Sequence, residues 1–270
     1  MAYSTQVDDD QDRKSVYKYD KKEIWCPCLL GTTRPNLLDI SKTVVGIDIR
    51  NWWKMSNVYG KIINDDVVKG MQTYVERKEN LEDFMIMRAK AAYQMIGVDN
   101  KDFLAAKYLD ELEAQEKVKG TKVMLYNATG VTLTFEGEYD GSGRIGSSPC
   151  PHTLHNGQWG VFFHRINDGV SEGGVIYEGK CHPDGQKGEW KFSWKVDGKK
   201  NTCFTDCQDS RVRKGNRGSL DIVVKGVQSV QLIHTSTQEL MKATATIGNT
   251  KNPIFQGIMT LKGVTHPLLS

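Results

Sequence analysis

The spacing of apolar residues along the chain changes once. Between Asn64 and Lys117 they recur three and four apart, and beyond Gly120 they recur every second position. The first stretch predicts three helices. Asn64 is a fitting N-cap, Asp65 and Asp66 suit the positive end of a helix dipole, and Val67, Val68, Met71, Tyr74 and Val75 form the stripe before Arg77 and Lys78. Asn80 caps a second helix with the stripe Leu81, Phe84, Met85, Arg88, Ala92 and Ile96, which Gly97 stops in a left-handed conformation. The third starts at Asp99 or Asn100 and carries Leu104, Ala105, Tyr108, Leu109 and Leu112. Methionines 71, 85, 87 and 95 fall at helical spacing and read as core filler.

The second stretch predicts strands. Val131, Leu133 and Phe135 alternate with Thr132, Thr134 and Glu136, while Trp190, Phe192, Trp194 and Val196 alternate with Lys191, Ser193 and Lys195, so each strand has one packed and one wet face. Further strands are expected at 122–127, 159–166, 175–179, 202–207, 221–224, 230–235, 243–247 and 255–261. Many short strands with Gly-rich turns and no intervening helices indicate an α+β chain: an antiparallel β-sandwich preceded by a small helical subdomain of about three helices. GSGRIG at 141–146 joins two β-like segments and reads as a turn rather than a phosphate loop. The expected organisation is a mobile tail over 1–23, a Trp-containing docked arm over 24–63, the helical lead-in over 64–119 and the sandwich over 120–270.

Composition narrows the function without naming it. Charged residues make up 26% and apolar residues 39%, and no apolar run reaches the ~20 residues that span a bilayer, so no transmembrane segment is expected. The start of the chain lacks the basic and apolar pattern of a secretory signal, which places the protein in the cytoplasm as an expectation. A net charge of +3 is too small to imply nucleic acid, and Arg211, Arg213, Lys214 and Arg217 read as a solvated turn. The six cysteines read as thiols, because Cys26-Pro27-Cys28 and Cys203-x-x-x-Cys207 lack zinc-ribbon spacing; neither metal nor cofactor is expected.

No specific catalytic constellation is present: no G-x-S-x-G elbow, phosphate loop, H-E-x-x-H helix or G-x-G-x-x-G opening a βαβ unit. The candidate binding residues are therefore the histidines and aromatics around the central segment: His152, His155, Trp159, His164, Tyr177 and Trp194. Histidines near a strand are commonly hydrogen-bonded structural groups, and inward aromatics are core; those opening onto a cleft could stack a ring or sugar.

Leu125-Tyr126-Asn127-Ala128-Thr129-Gly130, Asn156-Gly157-Gln158-Trp159-Gly160, Phe163-His164, Gly173-Gly174-Val175-Ile176-Tyr177 and Trp190-Lys191-Phe192-Ser193-Trp194 together resemble the 23-kDa jasmonate-induced protein family of plants. The resemblance covers about 64–260 and, more distantly, the strand pattern is similar to the aegerolysin and actinoporin sandwiches, which bind lipid head groups. It implies a jasmonate- or stress-responsive plant defence protein without established catalytic residues, binding a small molecule, glycan or partner through the sandwich. Two alternatives stand beside it: an enzyme of specialised metabolism recruited from this scaffold, with a pocket near His152, His155, His164 and Tyr177, and a membrane-lipid-binding defence module using Trp52, Trp53 and the Arg211–Arg217 loop.

Overall fold

A computed structural model describes residues 57–71, 81–180, 182, 185–209 and 231–264; side chains are described from residue 84 in the second helix. The expected tail, most of the arm with Trp52 and Trp53, the strand at 221–224 and the Arg211–Arg217 loop lie outside the described residues.

In chain order the elements are β1 (Val58–Tyr59), α1 (Asp65–Lys69), α2 (Leu81–Gln94), a short 3-10 turn (Val98–Asn100), α3 (Lys101–Glu116), β2 (Gly120–Ala128), β3 (Leu133–Ser142), β4 (Arg144–Ile145), β5 (Thr153–Leu154), β6 (Trp159–Arg165), β7 (Ser171–Lys180), β8 (Lys187–Val196), β9 (Asn201–Asp209), β10 (Ile233–Gln238), β11 (Met241–Ile247) and β12 (Ile254–Leu261). The Asn64 side chain accepts a bond from the Val67 N–H and so caps α1 as its sequence suggests. Gly97 does not stop α2 in a left-handed conformation: its φ is −106°, and the positive dihedrals fall at Asp99 (61°) and Asn100 (54°). Asx residues tolerate that region, so the reversal into α3 sits two residues later than expected.

Two sheets face each other. One has seven strands, ordered β1-β6-β2-β12-β11-β10 with β4 also on β6; the other has five, ordered β5-β3-β7-β8-β9. Among the described residues all strand pairings are antiparallel but one: β12 lies parallel to β2, from Ile254 against Lys122 to Thr260 against Ala128. A purely antiparallel sandwich is thus corrected to a mixed one. At one side of the sandwich β9 and β10 meet through side chains rather than a full ladder. There His234 Nδ1 accepts the Thr205 N–H at 3.3 Å and Ser236 Oγ accepts the Cys207 N–H at 3.3 Å.

Alternation explains the layers. Val123 and Leu125 of β2, Phe162 of β6, Trp190, Phe192 and Trp194 of β8 and Phe255 of β12 fill the space between the sheets. Trp194 is the hub, with ring centroids 5.9 Å from Phe162 and 5.4 Å from Phe255. The opposite side chains of β2 and β6, namely Met124, Tyr126, Trp159, Val161 and Phe163, pack against Ala92, Leu109 and Leu112 of α2 and α3. Both faces of these two strands are buried, which is why their sequences are almost continuously apolar.

The wet face expected for β8 is only partly wet. Lys195 is half-buried, but Ser193 and Lys191 are buried, and the Lys191 ammonium lies 3.5 Å from Asp206 and 3.6 Å from Glu189. A charge leaves water at tolerable cost only with such partners.

Candidate functional site

The six candidate residues do not form one exposed site. Trp159 is buried and donates its indole N–H to Ile96 O at 3.1 Å. Tyr177 is buried, donates its hydroxyl to Pro151 O at 2.7 Å, and burial pushes its pKa well up. Trp194 lies between the sheets, and His164 is buried 5.3 Å from its ring. His152 is exposed, and its carbonyl accepts the Phe135 N–H. His155 is half-buried with Nδ1 3.1 Å from Thr132 Oγ1.

His164 belongs to a polar chain that deserves its own chemical test. Ser171 Oγ is 2.8 Å from His164 Nδ1, Asp140 Oδ1 is 3.1 Å from His164 Nε2, and Thr121 Oγ1 is 2.8 Å from Ser171 Oγ. A Ser-His-Asp set can make a nucleophile when the serine reaches substrate. Here accessibility runs the other way: Ser171 and His164 are 0% exposed, and the Asp140 side chain is the one that meets solvent. Gly173 permits this packing, because a Cβ there would come within 2.8 Å of Trp194 and 2.9 Å of His164. The chain ties β2, β3, β6 and β7 together as a buried strut.

A concave surface lies elsewhere. A groove of about 550 Å³ runs between the segment leading into α1, helix α2, the β2–β3 turn and the end of β7. Its polar lining comes from Arg88, Thr132, Thr134, Asn156, Lys180 and Lys187, with Asp65 and Glu178 as the acidic members and Ile62 and Val131 as apolar ones. Arg88 is held in place: Nε donates to Gly130 O at 2.7 Å and Nη1 to Asp65 at 2.6 Å. Lys187 pairs with Glu178 across the β7–β8 hairpin. Arg88, Lys180 and Lys187 set three cations against two carboxylates, so the rim carries a surplus of one positive charge.

Two asparagines shape the groove. Asn156 donates to Ile63 O at 2.8 Å and Arg88 O at 3.1 Å and accepts the Gly130 N–H at 2.9 Å. Asn127 donates to Val131 O and Leu154 O at 2.8 and 2.7 Å and accepts from the N–H and hydroxyl of Thr129. Gly130, at φ 79°, comes so close to α2 that a Cβ would sit 2.1 Å from Met85 O. The NATG and NGQWG runs are therefore the stitches that hold two loops against α2.

Sequence reasoning singled out these runs but not the groove. Its available signal was Arg88, a cation within the inward stripe of the second helix. Ile62 of the groove lining is exposed, and the Lys61–Asp99 ion pair at 3.4 Å brings the 3-10 turn to the segment that carries it. Val98, Phe103 and Leu104 follow at that end of α3, Phe103 being 65% exposed. No described helix is long and apolar enough to cross a membrane.

Comparison with known proteins agrees with the sequence resemblance. The chain is 35% identical over 147 residues to the 23 kDa jasmonate-induced protein of Hordeum vulgare, spanning 52% of this chain and 67% of that one. The crystal structure of the lipid binding protein Nakanori superposes with a TM-score of 0.62 at 23% identity, covering 75% of this chain and 98% of that one, which establishes the shared fold. The model of the Nakanori-like protein family matches residues 59–262, the whole of the sandwich and its helices, and the chain belongs to that family.

Proposed function

We propose that this chain is a non-catalytic, stress-responsive binding protein whose groove takes the polar head group of a membrane lipid. The observation that carries the reading is a built polar groove whose lining includes the exposed Ile62, with the exposed Val98, Phe103 and Leu104 tied to the same segment through the Lys61–Asp99 pair. Arg88, Lys180 and Lys187 suit a phosphate, and the Thr132 and Thr134 hydroxyls suit its ester or polyol oxygens. Ile62, Val98, Phe103 and Leu104 are suited to the interfacial layer, where partly exposed apolar side chains replace water contacts with acyl chain. The lipid-binding description of the fold neighbour and the jasmonate-induced name of the barley relative support the same reading. A cytoplasmic chain would meet the leaflet that carries anionic lipid, which fits the surplus cation.

The test is co-sedimentation with vesicles of phosphatidylcholine alone and with added phosphatidylserine. Wild type is expected in the pellet with the anionic vesicles, and Lys180→Glu and Phe103→Asp are each expected to lower the bound fraction about tenfold, the order of one lost charge contact or one buried aromatic. A protein that stays in the supernatant with both compositions refutes the lipid reading. A glycan or soluble metabolite captured instead would return the groove to the broader class of small-ligand sites.

A further inference from the structure

Beyond the groove bank formed by Lys180 and Lys187, three metal-capable side chains converge where the two sheets meet. His182 stands in the β7–β8 connection, Asp209 ends β9, and Glu239 occupies the turn between β10 and β11. Their ligand atoms all lie within 4.8 Å of one another. Asp209 is fully buried, His182 is nine-tenths buried, and Glu239 is exposed. His182 Nε2 is aimed at the cluster: it lies 3.3 Å from Asp209 Oδ2, yet it makes no hydrogen bond.

That separation has a chemical meaning. Zinc holds imidazole nitrogen and carboxylate oxygen at about 2.0–2.2 Å, so two donors at corners of a zinc tetrahedron stand about 3.3–3.6 Å apart. The His182–Asp209 spacing of 3.3 Å meets that edge, and a Glu239 carboxylate oxygen within 4.8 Å of both is the candidate for a third corner. One imidazole with two carboxylates suits a borderline transition-metal ion over the harder magnesium and calcium, which take oxygen alone. We propose that His182, Asp209 and Glu239 form a site for one divalent transition-metal ion of the zinc class, with a water in the fourth position and Glu239 on the solvent side.

The site links segments far apart in sequence. His182 and Asp209 belong to the five-stranded sheet and Glu239 to the seven-stranded one, so the ion acts as a clasp between sheets where side-chain contacts replace a ladder. No sequence spacing could reveal it, because the ligands come from a hairpin connection, a strand end and a turn. It rests on residues that do not line the groove, and its failure would leave the lipid reading untouched.

The experiment uses the full chain, stripped with chelator and kept reduced, titrated calorimetrically with zinc and, separately, with cobalt(II) followed by visible absorption. The expected result is one ion per chain, an upward shift of the melting temperature on zinc addition, and a cobalt spectrum without the intense thiolate charge-transfer band. His182→Ala and Glu239→Gln are each expected to weaken affinity at least about tenfold. Glu239 is exposed, so its variant tests the site without endangering the fold. Absence of stoichiometric binding, unchanged affinity in both variants, or a thiolate band that assigns the ion to cysteine each overturns the proposal.

Discussion

Replacing Asn156 by alanine tests whether the family's motif residues act by stitching loops to α2. The side chain is 4% exposed and satisfies the Ile63 carbonyl, the Gly130 N–H and the Arg88 carbonyl. Alanine leaves the first two without their partner in a water-poor place. A buried polar group stripped of its bond costs about 1–3 kcal/mol, and the Arg88 carbonyl, inside α2, keeps its helical bond and adds little. The sum is about 3 kcal/mol, which for a domain of this size lowers the melting temperature by about 6–12 °C. Differential scanning calorimetry measures the shift, with far-UV circular dichroism at low temperature to show that the sheets persist. Vesicle binding should fall as well, because both banks of the groove lose their common anchor. A melting temperature within 2 °C of wild type, on the scale of about half a kcal/mol, would refute the assignment.

Lys101 gives a prediction in pH. It is buried, donates to the Tyr126 hydroxyl and Gly157 O at 2.8 and 2.9 Å, and burial lowers its pKa from 10.5 to about 8. Above pH 8 the unfolded chain then binds the extra proton, so stability rises with pH; between pH 7.5 and 10 the wild type should gain about 2 kcal/mol relative to Lys101→Met in urea titrations, and parallel curves would count against it. Gly173→Ala forces a Cβ against Trp194 and His164 and should cost about 1–3 kcal/mol by calorimetry; an unchanged melting temperature would mean the strut yields freely. Ser171→Ala should lower stability by about 1–2 kcal/mol and leave vesicle binding alone; lost binding with intact stability would make the buried relay part of the binding site.

The fold was legible wherever one rule governed a stretch. Trp190, Phe192, Trp194 and Val196 alternate plainly and do point between the sheets. The outer side chains of the same strand misled, because Lys191 reads as solvent-facing until the register opposite Asp206 is known. Pairing partners across strands are not written in any local window. The parallel match of β2 with β12 was hidden for the same reason, since nothing in Lys122–Asn127 announces a neighbour more than a hundred residues away. The groove escaped because its members come from a helix stripe, two turns and a strand end, each with an adequate local explanation. Histidines and tryptophans drew attention as versatile groups, yet Trp159, His164 and Tyr177 are hydrogen-bonded within the core and Trp194 is packed between the sheets.

The placement of β12 beside β2 bears on how the chain matures during translation. β2 emerges early, but the neighbour that completes its backbone bonds is Ile254–Leu261, so the seven-stranded sheet cannot close until the chain through Leu261 has left the ribosome. Until then a nascent chain carries an apolar strand with one unpaired edge, a template for misassembly that chaperones would have to shield. Premature termination before residue 254 should therefore yield aggregates rather than a shortened sandwich.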